Sequence, residues 1–129
     1  MKKRLYCALV VFLSLLSPET NAHERTTDAI KIVKTYEAKV SWYKHGLKTA
    51  NGERFNPSLY TVAHRTLPFG TWVRFTNPET NKKVTARVND RGPFFKEREF
   101  DLSLGSAKKL GILEKGVTRL KVEIIKYKT

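Results

Sequence analysis

Apolar and polar residues alternate with a period of two in several short stretches of this chain, the pattern of half-buried strands. Ala38 to Tyr43 (AKVSWY), Thr71 to Thr76 (TWVRFT), Lys83 to Val88 (KVTARV) and Leu120 to Tyr127 (LKVEIIKY) all read this way. Tyr60 to Ala63 (YTVA) is a briefer apolar piece. Between the second and third alternating runs lies Asn77 to Asn81 (NPETN), whose Asn and Pro content predicts a hairpin loop. A single helix is predicted from about Leu104 to Leu110, with Ser103 placed to cap its start and Gly111 its end. Short strands, one small helix and turns rich in Gly and Pro predict an all-β chain closed into a small barrel.

The N-terminus breaks the pattern. Met1-Lys2-Lys3-Arg4 is basic, Leu5 to Leu16 is apolar apart from Ser14, and Ser17 to Ala22 is short and polar. This layout predicts a secretory signal peptide over residues 1–22, cleaved after Ala22, with an apolar run too short for a transmembrane helix of ~20 residues. No stable membrane span is expected after cleavage. Residues 23–35 read as a polar leader, and residues 36–128 as one domain. The only cysteine, Cys7, lies at the start of the apolar run. The mature domain is therefore expected to hold neither a disulfide nor a thiolate nucleophile, and must close its own apolar core.

Charge narrows the neighbourhood. Without residues 1–22, Lys+Arg falls from 25 to 22 and Asp+Glu from 12 to 11, leaving net +11 on 107 residues. Such an excess favours a polyanionic partner. Behind an export signal, cell-wall polymers and anionic lipid head groups fit better than nucleic acid.

The candidate chemistry lies in carboxylates. His23, His45 and His64 lack metal-site spacing and cysteine partners, and no glycine-rich phosphate loop precedes a helix, so neither a metal nor a cofactor is expected. Ser41 and Ser103 carry no nucleophile signature. Four polar residues fall at strand ends or in turns: Glu53 in TANGE, His64 ending YTVAH, Asp90 ending RVND, and Asp101 opening DLS before the helix. Paired carboxyls suffice to break a glycosidic bond. Asp90 stands out because Gly92 and Pro93 fix the backbone close behind it.

Six pieces carry a resemblance: AKVSWY (38–43), KTANGERF (48–55), AHRTLPFG (63–70), VRFTN (73–77), RVNDRGPF (87–94) and DLS (101–103) followed by the helix. In this order they resemble the rare lipoprotein A family of bacterial lytic transglycosylases. The resemblance implies a six-stranded double-psi β-barrel with one short helix and an open groove. It also implies endolytic cleavage of peptide-poor peptidoglycan strands between N-acetylmuramic acid and N-acetylglucosamine, leaving a 1,6-anhydro-muramyl end. The family's functional acids and histidine fall on Glu53, His64 and Asp90, while Asp101 matches an acid kept by expansins and some endoglucanases. The expected proton donor is Asp90, with Asp101 a close rival. Glu53 is expected to position substrate or tune the acid, and His64 to orient a carboxylate or bind sugar. Phe94 and Phe95 are expected to help shield the acid. Trp42, Tyr43, Asn51 and Arg91 are the expected substrate contacts. A non-catalytic, expansin-like glycan-binding module is the competing reading. The family's lipoprotein cysteine has no counterpart at the end of the signal, so no lipid anchor is expected, and the family's C-terminal glycan-binding repeat is not matched, which leaves septal targeting open.

Overall fold

The computed structural model describes residues 29–129; the signal peptide and the start of the leader read from sequence lie outside the described residues. Six strands, β1 (Ile30–Tyr43), β2 (Thr61–His64), β3 (Trp72–Thr76), β4 (Lys83–Asp90), β5 (Phe100–Ser103) and β6 (Thr118–Tyr127), close into a barrel in the order β1-β5-β2-β4-β3-β6. The one helix, α1 (Leu104–Leu110), follows β5 directly. Two of the six pairings are parallel, β1 with β5 and β2 with β4. The six-stranded all-β barrel with one short helix is thus observed.

Alternation in the sequence becomes the inside and outside of the barrel. Val40, Val62, Phe75, Val88, Phe100 and Leu102 are fully buried. Phe75 meets Phe100 edge to face, with ring centroids 5.1 Å apart. Each such side chain contributes roughly 1.5–3 kcal/mol by leaving water, and no disulfide is needed.

Two strands depart from the sequence pattern. β1 begins at Ile30, within the stretch read as a leader, because Ile30 to Val40 pair along β6 from Tyr127 to Thr118. That ribbon carries a bulge at Val33, and most of its residues are exposed, the apolar Ile32 and Val33 among them, so no alternation of buried apolar and exposed polar residues marks it. β5 has four residues, too few for a periodic signal, and its position between β1 and β2 is set by long-range pairing.

The helix forms as its caps dictate. Ser103 is extended (φ −61°, ψ 155°) and its hydroxyl accepts from the Ser106 N–H, while Gly111 takes the left-handed conformation (φ 69°) that ends the helix. The Ser103 hydroxyl also donates to the Leu59 carbonyl at 2.6 Å, tying the helix start to the loop before β2. Gly105 lies against that loop so closely that a Cβ there would sit 2.6 Å from the Ser58 carbonyl oxygen. Among the described residues no helix is long and apolar enough to cross a membrane.

Candidate active site

A bulge puts the two aspartates on one face. β2 lies between β4 and β5, with Val62 opposite both Val88 and Leu102 in the core. One residue further the β2–β4 register shifts, so that Ala63 faces Asp90 and Asn89 is the extra residue. Ala63 also faces Asp101 on the other side. Without the bulge, Asp90 would alternate to the face that carries Phe100 and His64. With it, Asp90 and Asp101 flank one small residue, their backbones roughly 10 Å apart across two strand spacings.

Tyr43 bonds one of the pair. Its hydroxyl donates to Asp90 Oδ2 at 3.1 Å, and its ring stacks on Phe55 with centroids 4.8 Å apart. Burial, and the charges of Asp90 and Asp101, push the Tyr43 phenol well above its ordinary range, so it stays a neutral donor. Asp90 Oδ1 accepts from the backbone N–H groups of Ala50 and Arg91, each at 2.9 Å. Both Asp90 oxygens are thus engaged. Asp101 differs: its Oδ1 accepts from the Ser41 hydroxyl at 2.9 Å. Burial raises its pKa, against the lowering by Ser41 and Arg98, and the Asp90 charge adds to the rise.

Glu53 sits beside this pair, locked by its own partners. Arg87 donates to it twice, Nη1 to Oε1 at 2.7 Å and Nη2 to Oε2 at 2.9 Å, and the amides of Asn51 and Asn89 add one bond each. Arg87 first, then Asn51 and Asn89, hold its pKa down to about 2. An acid so stabilised as its anion is a poor proton donor. The Asn51 N–H donates to the Asn89 carbonyl, so the TANGE turn is laid over the bulge that aims Asp90.

His64 is turned away from both aspartates. Its Nδ1 accepts from the backbone N–H groups of Thr66 (3.0 Å) and Leu67 (2.9 Å), which leaves the proton on Nε2, 3.4 Å from Glu99 Oε1. Burial outweighs Glu99 and lowers its pKa, and protonating Nδ1 would break two bonds to backbone. The carboxylate that His64 faces is Glu99. Glu99 also accepts from the Tyr36 hydroxyl at 2.6 Å.

The expected substrate contacts divide. Tyr43 and Asn51 lie beside Asp90 and Glu53, as described. Trp42 instead packs against the core, opposite Leu102, with Nε1 buried and without a partner. Arg91 spends one guanidinium nitrogen on the carbonyls of His64 (3.2 Å) and Leu67 (2.9 Å) and stacks on Phe69 at 3.8 Å. Arg65 donates to the carbonyls of Pro93, Phe95 and Arg98 and so shapes the loop after Asp90. Phe94 and Phe95 are 82% and 65% exposed, so they leave the acids unshielded and stand at the rim instead. Sequence reasoning missed Ser41, Tyr36 and Glu99. For Ser41 the i, i+2 spacing within β1 was the available signal, because it puts Ser41 beside Tyr43 on one face, whereas the joining of Tyr36 and Glu99 to His64 depends on long-range contacts that no local spacing declares.

Comparisons with known proteins bear on the family and the fold. A family model described as lytic transglycolase matches residues 35–122. A probable endolytic peptidoglycan transglycosylase RlpA from Synechocystis sp. is 46% identical over 108 residues, which are 81% of this chain and 34% of the relative. The endolytic peptidoglycan transglycosylase RlpA of Pseudomonas aeruginosa is 52% identical over 86 residues, 64% of this chain and 25% of the relative. The chain therefore spans about a third or less of these relatives' length. Among solved structures, a Streptomyces papain inhibitor superposes with a TM-score of 0.61 at 21% identity, covering 73% of this chain and 96% of that one. A Clavibacter michiganensis expansin gives 0.60 at 16% identity, covering 74% and 52%. At those identities the two structures speak for the fold alone. The family match spans most of the barrel, together with Glu53, His64, Asp90 and Asp101, and the chain belongs to the lytic transglycolase family of double-psi β-barrel domains.

Proposed function

We propose that this protein is an exported endolytic peptidoglycan lytic transglycosylase acting on peptide-poor glycan strands in the cell envelope. The observation that carries the reading is the pair Asp90 and Asp101, flanking Ala63 on one face with the Tyr43 hydroxyl bonded to Asp90, in a chain of this family. The signal-like residues 1–22 support export.

In this mechanism Asp101 is the proton donor. Its raised pKa and single side-chain hydrogen bond leave it protonated further into the working range than an ordinary aspartic acid. It protonates the oxygen bridging N-acetylmuramic acid to N-acetylglucosamine, and the bond from that oxygen to C1 breaks. The positive charge that builds at C1 is stabilised by Asp90, held in place by Ala50, Arg91 and Tyr43. The muramyl C6 hydroxyl then attacks C1 and returns its proton to Asp101, closing a 1,6-anhydro ring without consuming water. Glu53 fixes the turn that bonds Asp90, and His64 holds the turn against which Arg91 rests.

Digestion of peptide-free strands with mass analysis of the ends tests this. Wild type is expected to generate anhydro-muramyl ends, Asp101→Asn to lose them by about 10²–10⁴-fold, and Asp90→Asn by roughly 10²-fold. Full activity in Asp101→Asn with none in Asp90→Asn moves the donor to Asp90. Reducing ends mean a hydrolase, and binding without new ends means the expansin-like module.

A further inference from the structure

Two residues before Asp101 in the chain, Glu99 centres a second polar cluster, and its carboxylate has no part in the mechanism. Glu99 Oε1 accepts from both Tyr36 (2.6 Å) and His64 Nε2 (3.4 Å). Among the described residues its other oxygen has no side-chain hydrogen-bond donor, and the side chain is 34% exposed. Glu99 lines a pocket of about 500 Å³, together with Lys39, His64, Arg65, Lys96 and Arg119. Glu37 and Glu97 complete its charged lining, and Glu97 is partnered by Lys39 at 3.8 Å.

The carboxylate is oriented. Two donors fix Oε1, and the His64 ring that supplies one of them is itself fixed by two backbone N–H groups. The low pKa of His64 keeps that ring neutral, with its proton on the Glu99 side. What remains to Oε2 is the pocket. The pocket is close to Asp101 along the chain: Glu99 immediately precedes β5, roughly 7 Å of extended backbone from Asp101, with its N–H bonded to the Lys39 carbonyl of β1 while Asp101 pairs with Ser41.

Building on the glycan ligand of the preceding reading, we propose that this pocket is a second sugar subsite, in which Glu99 Oε2 accepts from a hydroxyl or N-acetyl N–H of a neighbouring unit of the same strand. Lys96 and Arg119 at the rim suit a unit that also carries a carboxylate. The subsite holds the strand and takes no part in bond breaking. Glu99 is therefore a binding residue, and Tyr36 and His64 position it.

The test is a calorimetric affinity ladder on peptide-free strands from disaccharide to octasaccharide. Wild type is expected to show a step, on the order of tenfold, at the length that first reaches the pocket. Glu99→Gln keeps the volume and lets its carbonyl take over from Oε1, but it turns an N–H₂ toward the pocket. That variant is expected to lose the step while binding the shorter strands as wild type does. Tyr36→Phe keeps the carboxylate but frees it to turn, and is expected to shrink the step. A ladder without a step in wild type, or an unchanged step in both variants, overturns the subsite. Absent anhydro ends beside an intact, Glu99-dependent ladder overturn the catalytic reading alone.

Discussion

Asp90 and Asp101 face the same alanine across two strands, yet they are dressed for different work. Asp90 receives three hydrogen bonds, two of them from backbone N–H groups that cannot turn away. Asp101 receives one from a serine hydroxyl and is raised by burial, with the Asp90 charge adding to the rise. In the mechanism proposed above, the raised Asp101 is the acid and the firmly held Asp90 the stabiliser. The expected pH dependence follows from the sign. A donor works only while protonated, so the rate falls as pH rises through the Asp101 pKa. Asp90→Asn removes one cause of the raised value, and the falling limb of its residual activity is expected at lower pH than in wild type. A pH profile of anhydro-end formation measures this, and an unmoved limb would separate the two carboxyls electrostatically. Glu53 has the opposite character. With Arg87 clasping both oxygens it remains an anion down to about 2, and its place is in the scaffold.

At the scale of elements, the short connections decide where the chemistry sits. The α1 start is clamped to the loop before β2 through Ser103, and Gly105 donates its N–H to the Pro57 carbonyl at 2.7 Å. Gly105→Ala would push a methyl group into the backbone at Ser58. It is expected to lower stability by about 1–3 kcal/mol, read as a lower denaturation midpoint, although alanine is ordinarily the better helix former. A neutral or stabilising result would mean that the loop yields. Elements of this kind differ in how readily the sequence declares them. The caps of α1, the β3–β4 hairpin and the last strand were legible because local patterns specify them. β5 was not, since four residues give no period and only pairing with β1 and β2 makes them a strand. Of the site, the acids could be named from motifs. That Asp90 shares a face with Asp101 depends on the extra residue at Asn89, and that His64 serves Glu99 depends on a contact across 35 positions. Both are properties of register, which no local stretch encodes.

For the whole molecule, charge and closure matter most. The formal net charge is +13 over the full chain, and the described lysines and arginines are spread over many exposed positions. If this field gathers an anionic strand to the groove, salt must weaken it, because the Debye length shrinks from ≈10 Å at 0.1 M to ≈3 Å at 1 M. Co-sedimentation with peptidoglycan is expected to fall steeply across that range, and insensitivity to salt would leave short-range contacts as the whole of the affinity. Closure has a further consequence at the β1–β6 ribbon. Before Lys39, whose carbonyl accepts from the Glu99 N–H, β1 pairs with β6 alone among the described residues, so the other side of Ile30 to Ala38 is an open strand edge. Such edges invite a second copy to add its own strand and begin an aggregate. Here the edge carries Lys31 and Lys34, and the bulge at Val33 breaks its run of evenly spaced backbone groups. An incoming copy would meet like charge and a broken template, both of which disfavour strand addition at this edge.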